Sequence, residues 1–319
     1  MILYGQIAQQ ISCNSISAPV YLLVEKLLKQ DVKTVISNCH YSDESSLNMK
    51  DVTTSKIVAL AAGAHPDDIE FMMAGTLLLL KEAGAEIHLW NLSSGNCGTE
   101  KYDTDEISRI RREEACESAR IAGATMHPPV SQDIEILYEN PLLKRAAAVI
   151  RTIKPTIMLI PSPQDYMEDH QIAGRILLTA AFTRGMMNYR TDPPVDSYQG
   201  QVALYHAMPH GLRDGLRRLV RPGQYVDISS TLDKKREMLS AHKSQKTWLD
   251  ESQGIGAYLN LMEKFSRELG TMSGRFTTAE GWRRHAHWGY ADEDFDPLTA
   301  ILGERCWTDP DYERSLGSI

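Results

Sequence analysis

The sequence predicts an α/β fold: a mostly parallel sheet with helices on both faces. Three observations carry that expectation. From Lys56 to Met187, apolar runs of strand length alternate with segments of helix length. The strand-like runs are apolar nearly throughout, as strands buried on both faces are. The polar, chemically useful residues gather just after two of those runs, where open parallel sheets bind ligands.

The elements follow in order. KIVALAAG (56–63) is the first strand, and DIEFMMAGTLLLLKEAG (68–84) is a helix stopped at Gly84. EIHLWNLS (86–93) is the next strand, followed by the loop SGNCGTEKYDTD (94–105) and a charged helix over 106–123. ATMHPPV and DIEIL read as a short strand and an edge or loop. NPLLKRAAAVIRTIK is a helix with Pro141 at its start, PTIMLIPSP is a strand, and a helix runs from His170 to Met187. Beyond the Pro/Gly-rich connector TDPPVDSYQG, QVALYHAMP and QYVDIS read as strands; 231–249 and 255–274 read as helices.

By composition the chain divides into an N-terminal extension and linker (1–55), a main domain (56–290) and a C-terminal tail (291–319) expected at the surface. Within the extension, APVYLLVEKLLKQ fits a short amphipathic helix. The 190–290 portion is expected to pack on the sheet and cap the mouth of the site.

A net charge of −8 with no basic run argues against binding nucleic acid phosphates. No apolar stretch approaches the roughly 18–20 residues that span a bilayer. The N-terminus lacks the basic-then-apolar pattern of a secretory signal, so a cytoplasmic setting is expected. The five cysteines form neither a C-x-x-C pair nor a disulfide framework and read as reduced thiols.

GAHPDDIE (63–70) crowds Asp67, Asp68 and Glu70 beside His65 directly after a buried strand. Like charges that close repel, and ionised carboxylates are costly where water is scarce. A bound cation removes the conflict. His65, Asp68 and His170 offer two imidazoles and a carboxylate, a set that zinc accepts with one position left for water. Asp67 adjoins them and could take a proton from that water. The plain alternative is a turn at Pro66, with an aspartate capping the next helix.

These residues resemble a family. GAHPDDIEFMMAGTL is similar to the A-H-P-D-D-E signature of the PIG-L/LmbE-like deacetylases. The order that follows is similar too: SSGNCG after the second strand, Arg111, Glu114, Ser118 and Ala119 on a helix, Asp133, then Asp169-His170. HKSQ (242–245) and SGRFTTAEGW (273–282) extend the likeness, which covers roughly residues 56–285. It implies a Rossmann-like zinc hydrolase that removes an acetyl group from an amino sugar such as N-acetylglucosamine or its conjugate. It implies one zinc ion on His65, Asp68 and His170, with Asp67 as general base for attack of zinc-bound water on the amide. Asp169 would join the catalytic set by orienting its neighbours. Arg111 and Asp133 would hold the substrate.

His210, in a glycine-flanked loop, is a candidate to border the same pocket, whereas His242 reads as structural and His285-x-His287 as a surface pair. The expected partner is a small amino-sugar molecule; self-association into a homo-oligomer is left open by the sequence. Two departures stand out. Ile69 separates Asp68 from Glu70, and Met167 occupies the first position of the H-P-D-H motif, whose histidine is associated with oxyanion stabilisation. A thioether cannot donate a hydrogen bond. Either zinc alone does the polarising, or another group such as Tyr166, His210 or His242 substitutes, or activity is weak. An amidase on a larger conjugate, or a catalytically weak carbohydrate- or metal-binding relative, are the competing expectations.

Overall fold

The structure, a computed structural model, describes residues 56–247 and 257–317. The helix and linker expected within 1–55 lie outside the described residues. Eight strands form one sheet in the order β3-β2-β1-β4-β5-β7-β6-β8. In chain order these are β1 (Val58–Gly63), β2 (Glu86–Asn91), β3 (Thr125–His127), β4 (Ile157–Ile160), β5 (Ala203–Ala207), β6 (Gln224–Asp227), β7 (Ala279–Arg284) and β8 (Cys306–Thr308). β3, β2, β1, β4 and β5 run parallel, while β7, β6 and β8 add antiparallel pairs at one side. The expected α/β architecture is therefore present, with its parallel half at the sequence positions read as βα repeats.

Alternate side chains of the strands feed two cores. On one face Ala59, Ala61, Ile87, Leu89 and Tyr205 pack with α1 (Asp68–Met72), α2 (Ala74–Glu82), α6 (Leu232–Ser240) and α7 (Ala257–Ser273). On the other, Leu60, Ala62, Trp90, Met158 and Ile160 pack with α4 (Asn140–Ile153) and α5 (Glu168–Phe182). α3 (Thr104–Ala122) is bounded as its sequence dictates. The Asp103 carboxylate accepts from the Glu106 N–H, and Gly123 closes the helix at a left-handed φ of 66°.

Two expectations change. The single helix read over 68–84 is broken at Met73, because the amides of the following turn are claimed from outside. Glu280 on β7 accepts from the Gly75 N–H (2.8 Å) and the Thr76 N–H (2.7 Å). The segment after 290 also leaves the surface. Leu298, on α8 (Pro297–Leu302), is fully buried, and Cys306–Thr308 pairs with β6, whereas α9 (Pro310–Ser315) buries nothing. DIEIL is loop, one of its two expected forms. Among the described residues no helix is long and apolar enough to cross a membrane.

Glu280 also meets Lys235 of α6 at 2.6 Å, both side chains about 1% exposed. Removing one member of a buried pair strands the other charge. Glu280→Gln is expected to cost about 3–5 kcal/mol in urea unfolding; a loss under about 1 kcal/mol would show that the pair does not hold α2, α6 and β7 together.

His206 on β5 donates Nδ1–H to the Pro161 carbonyl (2.9 Å), and its Nε2 faces His285 Nδ1 at 3.1 Å. Burial pulls its pKa from 6.5 down to about 4. Between those values the unfolded chain binds more protons than the folded one, so stability falls as pH falls through this window. His206→Asn is expected to flatten the decline of Tm on the acid side; an unchanged slope would remove His206 as its source.

Candidate metal centre

All five parallel strands contribute at their carboxyl ends: the 64–68 turn after β1, 93–98 after β2, Asp133 after β3, 161–167 after β4 and His210 after β5. Gly63 is required there, since a Cβ on it would lie 2.8 Å from the Asp68 Cβ. Asp68 Oδ2 accepts from the Ala64 N–H (2.9 Å) and the His65 N–H (2.8 Å). Its Oδ1 is left facing His170 Nε2 at 3.2 Å.

Carboxylates orient both imidazoles. His65 Nε2 meets Asp169 Oδ2 at 2.9 Å, and His170 Nδ1 meets Asp165 Oδ2 at 3.1 Å. An ionised carboxylate only accepts, so those nitrogens carry the protons and the opposite ring nitrogens turn toward Asp68. One donor atom each from His65, Asp68 and His170 lies within 4.8 Å of the others, so this group could hold a metal ion. The charge balance fits a cation. Burial lowers the His65 pKa, yet its hydrogen bonds to Asp169 and Asp68 outweigh burial and raise it to about 9. Burial opposes ionisation of Asp68, but His170 and His65 hold its pKa well below the usual range.

The neighbouring acids have their own partners. Asp67, in a left-handed conformation (φ 105°), heads α1 and is 8% exposed. Its Oδ2 accepts from the Tyr258 hydroxyl (2.6 Å), and its Oδ1 lies 3.6 Å from Arg111 Nη2. Burial raises its pKa against the pull of Arg111. Glu70 accepts from the Ser118 hydroxyl and sits 3.3 Å from His242. His242 is completely buried, and Glu70 raises its pKa against the effect of burial.

Arg111 and Asp133 are both buried and both tied to loops. Arg111 donates to the carbonyls of Pro66 (2.6 Å) and Gly95 (3.2 Å). Asp133 accepts from the Ser93 hydroxyl and the Gly95 N–H (2.8 Å each) and from the Cys97 N–H (3.0 Å). Glu114 does not pair with Arg111; it accepts from Ser244 N–H (2.8 Å) and hydroxyl (2.7 Å) in the HKSQ segment. His210 lines a small cleft with Asp68, Asp165, His170, Phe71 and Met208. His285 is engaged with His206 rather than standing apart at the surface.

The PIG-L family model, described as GlcNAc-PI de-N-acetylase, matches residues 60–181, which hold every residue of the candidate metal cluster. The match confirms the resemblance to the PIG-L/LmbE family over this stretch. Diacetylchitobiose deacetylase of Thermococcus kodakarensis is 28% identical over 188 residues, 57% of this chain and 67% of that protein. The 4-oxalmesaconate hydratase of Pseudomonas putida is 26% identical over 207 residues, 62% of this chain and 78% of that one. Among solved structures, N,N'-diacetylchitobiose deacetylase of Pyrococcus horikoshii superposes with a TM-score of 0.61. That match has 20% identity and covers 90% of this chain and all of the other, and it shows the shared fold. The chain is thus similar both to a sugar deacetylase and to a hydratase.

Sequence reasoning missed two residues of this candidate site. Asp165 lies five positions before His170, where no short motif marks it. Besides facing His170, it accepts from the Met167 N–H (3.0 Å) and the His210 N–H (3.2 Å). Tyr258 comes from a helix far along the chain, and nothing in its own sequence context signals Asp67 as its partner. His170→Ala is expected to abolish stoichiometric zinc retention on dialysis. Asp165→Ala is expected to weaken zinc about 10–100-fold by competition with a chelating dye. Unchanged affinity in both variants would place the ion elsewhere.

Proposed function

We propose that this chain is a zinc-dependent hydrolase that removes an acetyl group from the amide nitrogen of an amino sugar or its conjugate. The observation that carries the reading is Asp67, a buried carboxylate of raised pKa, placed next to the His65, Asp68 and His170 donor set. The sugar deacetylase among its relatives supports the choice of bond. Zinc suits two nitrogens and one oxygen, and when bound it would polarise the amide carbonyl and acidify water.

The protein's own groups account for the proton traffic. Asp67 takes a proton from the attacking water as the oxygen–carbon bond forms. It returns a proton to the amide nitrogen as the carbon–nitrogen bond breaks, giving acetate and a free amine. Tyr258 and Arg111 hold its carboxylate in place through both transfers. Arg111 and Asp133 shape the turns around the site, and Asp169 fixes the His65 ring. In this reading their influence on substrate passes through those groups.

His210 supplies the donor that Met167 lacks. Its ring packs edge-on against Phe71 and Phe265 (centroids 5.2 Å each) and makes no hydrogen bond among the described residues. Burial lowers its pKa, so the ring is neutral near pH 7 and one N–H is free to donate to a developing oxyanion in the cleft it lines. His242 is committed to Glu70, and Tyr166 stands at the rim, 57% exposed.

The hydratase relative favours a second reading, in which the same base directs water onto a carbon–carbon double bond. Mass analysis separates the two: an N-acetyl sugar loses its acetyl group, whereas an unsaturated acid gains one water. Zinc-loaded protein is expected to release acetate from N-acetylglucosamine or N,N'-diacetylchitobiose. Asp67→Asn is expected to lower kcat about 100–10,000-fold with zinc still bound. His210→Phe is expected to lower kcat about 100-fold with little change in KM. Failure of the zinc-loaded protein to release acetate from any N-acetyl sugar would sink the deacetylase reading.

A further inference from the structure

After β3 the chain makes a tight turn over residues 132–135, closed by the Glu135 N–H on the Gln132 carbonyl (3.2 Å). Its third residue, Ile134, takes a left-handed φ of 64°. Turns that need positive φ at this position favour glycine or asparagine, because a side chain branched at Cβ is strained there. Among the described non-glycine residues with positive φ, Ile134 alone is β-branched.

The conformation has a cause in the backbone. The Asp133 N–H donates to Asn96 Oδ1 (2.8 Å), and the Asp133 carboxylate is held by the loop after β2. The Ile134 N–H donates to Asp169 Oδ2 (2.7 Å), the same oxygen that meets His65 Nε2 (2.9 Å). Both amides at the centre of the turn are thus fixed, which is how strain persists in a folded chain. The side chain has no such cause. Ile134 is 72% exposed, whereas Ile136, two residues on, is the one that enters the core. The fold requires left-handed backbone at 134 but makes little use of the isoleucine.

The position of the residue supplies a use. Its Cβ lies within about 5.5 Å of the Asp169 oxygen that touches His65. An aliphatic side chain therefore stands at the His65 side of the candidate metal cluster. At the His170 side is Tyr166, its ring 6.4 Å from that of His170, and the two imidazole rings are 5.4 Å apart. A pyranose carries hydroxyls at its edge and C–H groups on its faces. An aliphatic and an aromatic side chain offer the apolar surface those faces need.

We propose that Ile134 is a specificity-determining residue, kept in a strained turn because its side chain packs on the pyranose of an N-acetyl sugar bound at the metal cluster. The identity of that sugar rests on the amide reading above; the strain does not.

The test compares Ile134→Asn, Ile134→Gly and Ile134→Val in the full-length, zinc-loaded protein. Asparagine tolerates positive φ, so Ile134→Asn is expected to raise Tm by about 2 °C or more. Ile134→Gly is expected to raise it less, since glycine also gains freedom in the unfolded chain. Ile134→Val keeps the branching and the apolar surface and is expected to hold Tm within about 1 °C. Calorimetric titration with N,N'-diacetylchitobiose uses each protein with Asp67→Asn added to prevent turnover. Affinity is expected to fall about tenfold with asparagine or glycine at 134, and to stay within about threefold with valine. With Asp67 restored, acetate release is expected to show KM raised about tenfold in the first two variants and kcat little changed. That split marks a contact made equally in the ground and transition states.

No rise in Tm with asparagine removes the strain and overturns the proposal. So does a higher Tm with unchanged affinity, which leaves the isoleucine without a use. A sugar that binds through Ile134, in a protein that releases no acetate with Asp67 intact, overturns the deacetylase reading and leaves the Ile134 assignment standing. Acetate release with the same KM in all four proteins overturns that assignment alone. A zinc-loaded protein that binds no N-acetyl sugar overturns both.

Discussion

Three carboxylates enter the crest of the sheet within four residues, and all are nearly withdrawn from water. That crowding is the constraint to which the rest of the fold answers. Buried like charges are tolerable only when each has a separate counter-charge or donor. Here the partners come from several elements. Asp68 is met by His65 and by His170 of α5, Asp67 by Arg111 of α3 and Tyr258 of α7, and Glu70 by Ser118 of α3 and His242. Helices from the whole length of the main domain are thereby drawn to one end of one strand.

This arrangement separates structural charge from chemical charge. Glu70 is closed off behind α1, and Asp67 is held on two sides. Asp68 has one oxygen bound by backbone and one directed at His170. Local geometry enforces the division. Asp68 and Glu70 point to different sides because side chains two apart face away from each other on a helix, and Asp67 stands ahead of α1 in a left-handed conformation. Ile69, which separates the acids in sequence, is the wholly buried side chain that anchors this short helix to the core. The insertion of an apolar residue into the acidic run is therefore what a one-and-a-half-turn helix on a buried surface requires.

Much of the parallel half was legible because it depends on local pattern. Apolar runs such as VALAAG can be satisfied only by burial on both faces, and the Gly84 and Gly123 stops reflect backbone freedom carried by the residue itself. The convergence of His65, Asp68 and His170 followed from strand-end geometry. The antiparallel side was not legible in the same way. Cys306–Thr308 is too short to display a period, and its place beside β6 depends on long-range pairing. The break at Met73 was hidden for a related reason. The local sequence favours one helix, and a glutamate some two hundred residues away overrides it. Asp165 and Tyr258 belong to this class: their roles are set by partners that no nearby spacing encodes.

Met167 bears on how such a site can change without collapsing. Its side chain lacks the donor that a histidine would bring, yet the loop around it does not depend on that side chain. Asp165 holds the Met167 amide, the His210 amide and the His170 ring at once, so the backbone path and the orientation of the candidate ligand His170 are secured together. With the scaffold fixed in this way, hydrogen-bond donation to a substrate oxygen becomes a separable task. A group from any strand end that reaches the same cleft can perform it. The five parallel strands deliver their loops to one place, and the loop after β5 delivers an imidazole whose ring nitrogens make no hydrogen bond among the described residues. In the proposed reading, the departure at Met167 passes donation to His210 at a neighbouring strand end, while Asp165 holds both loops in place.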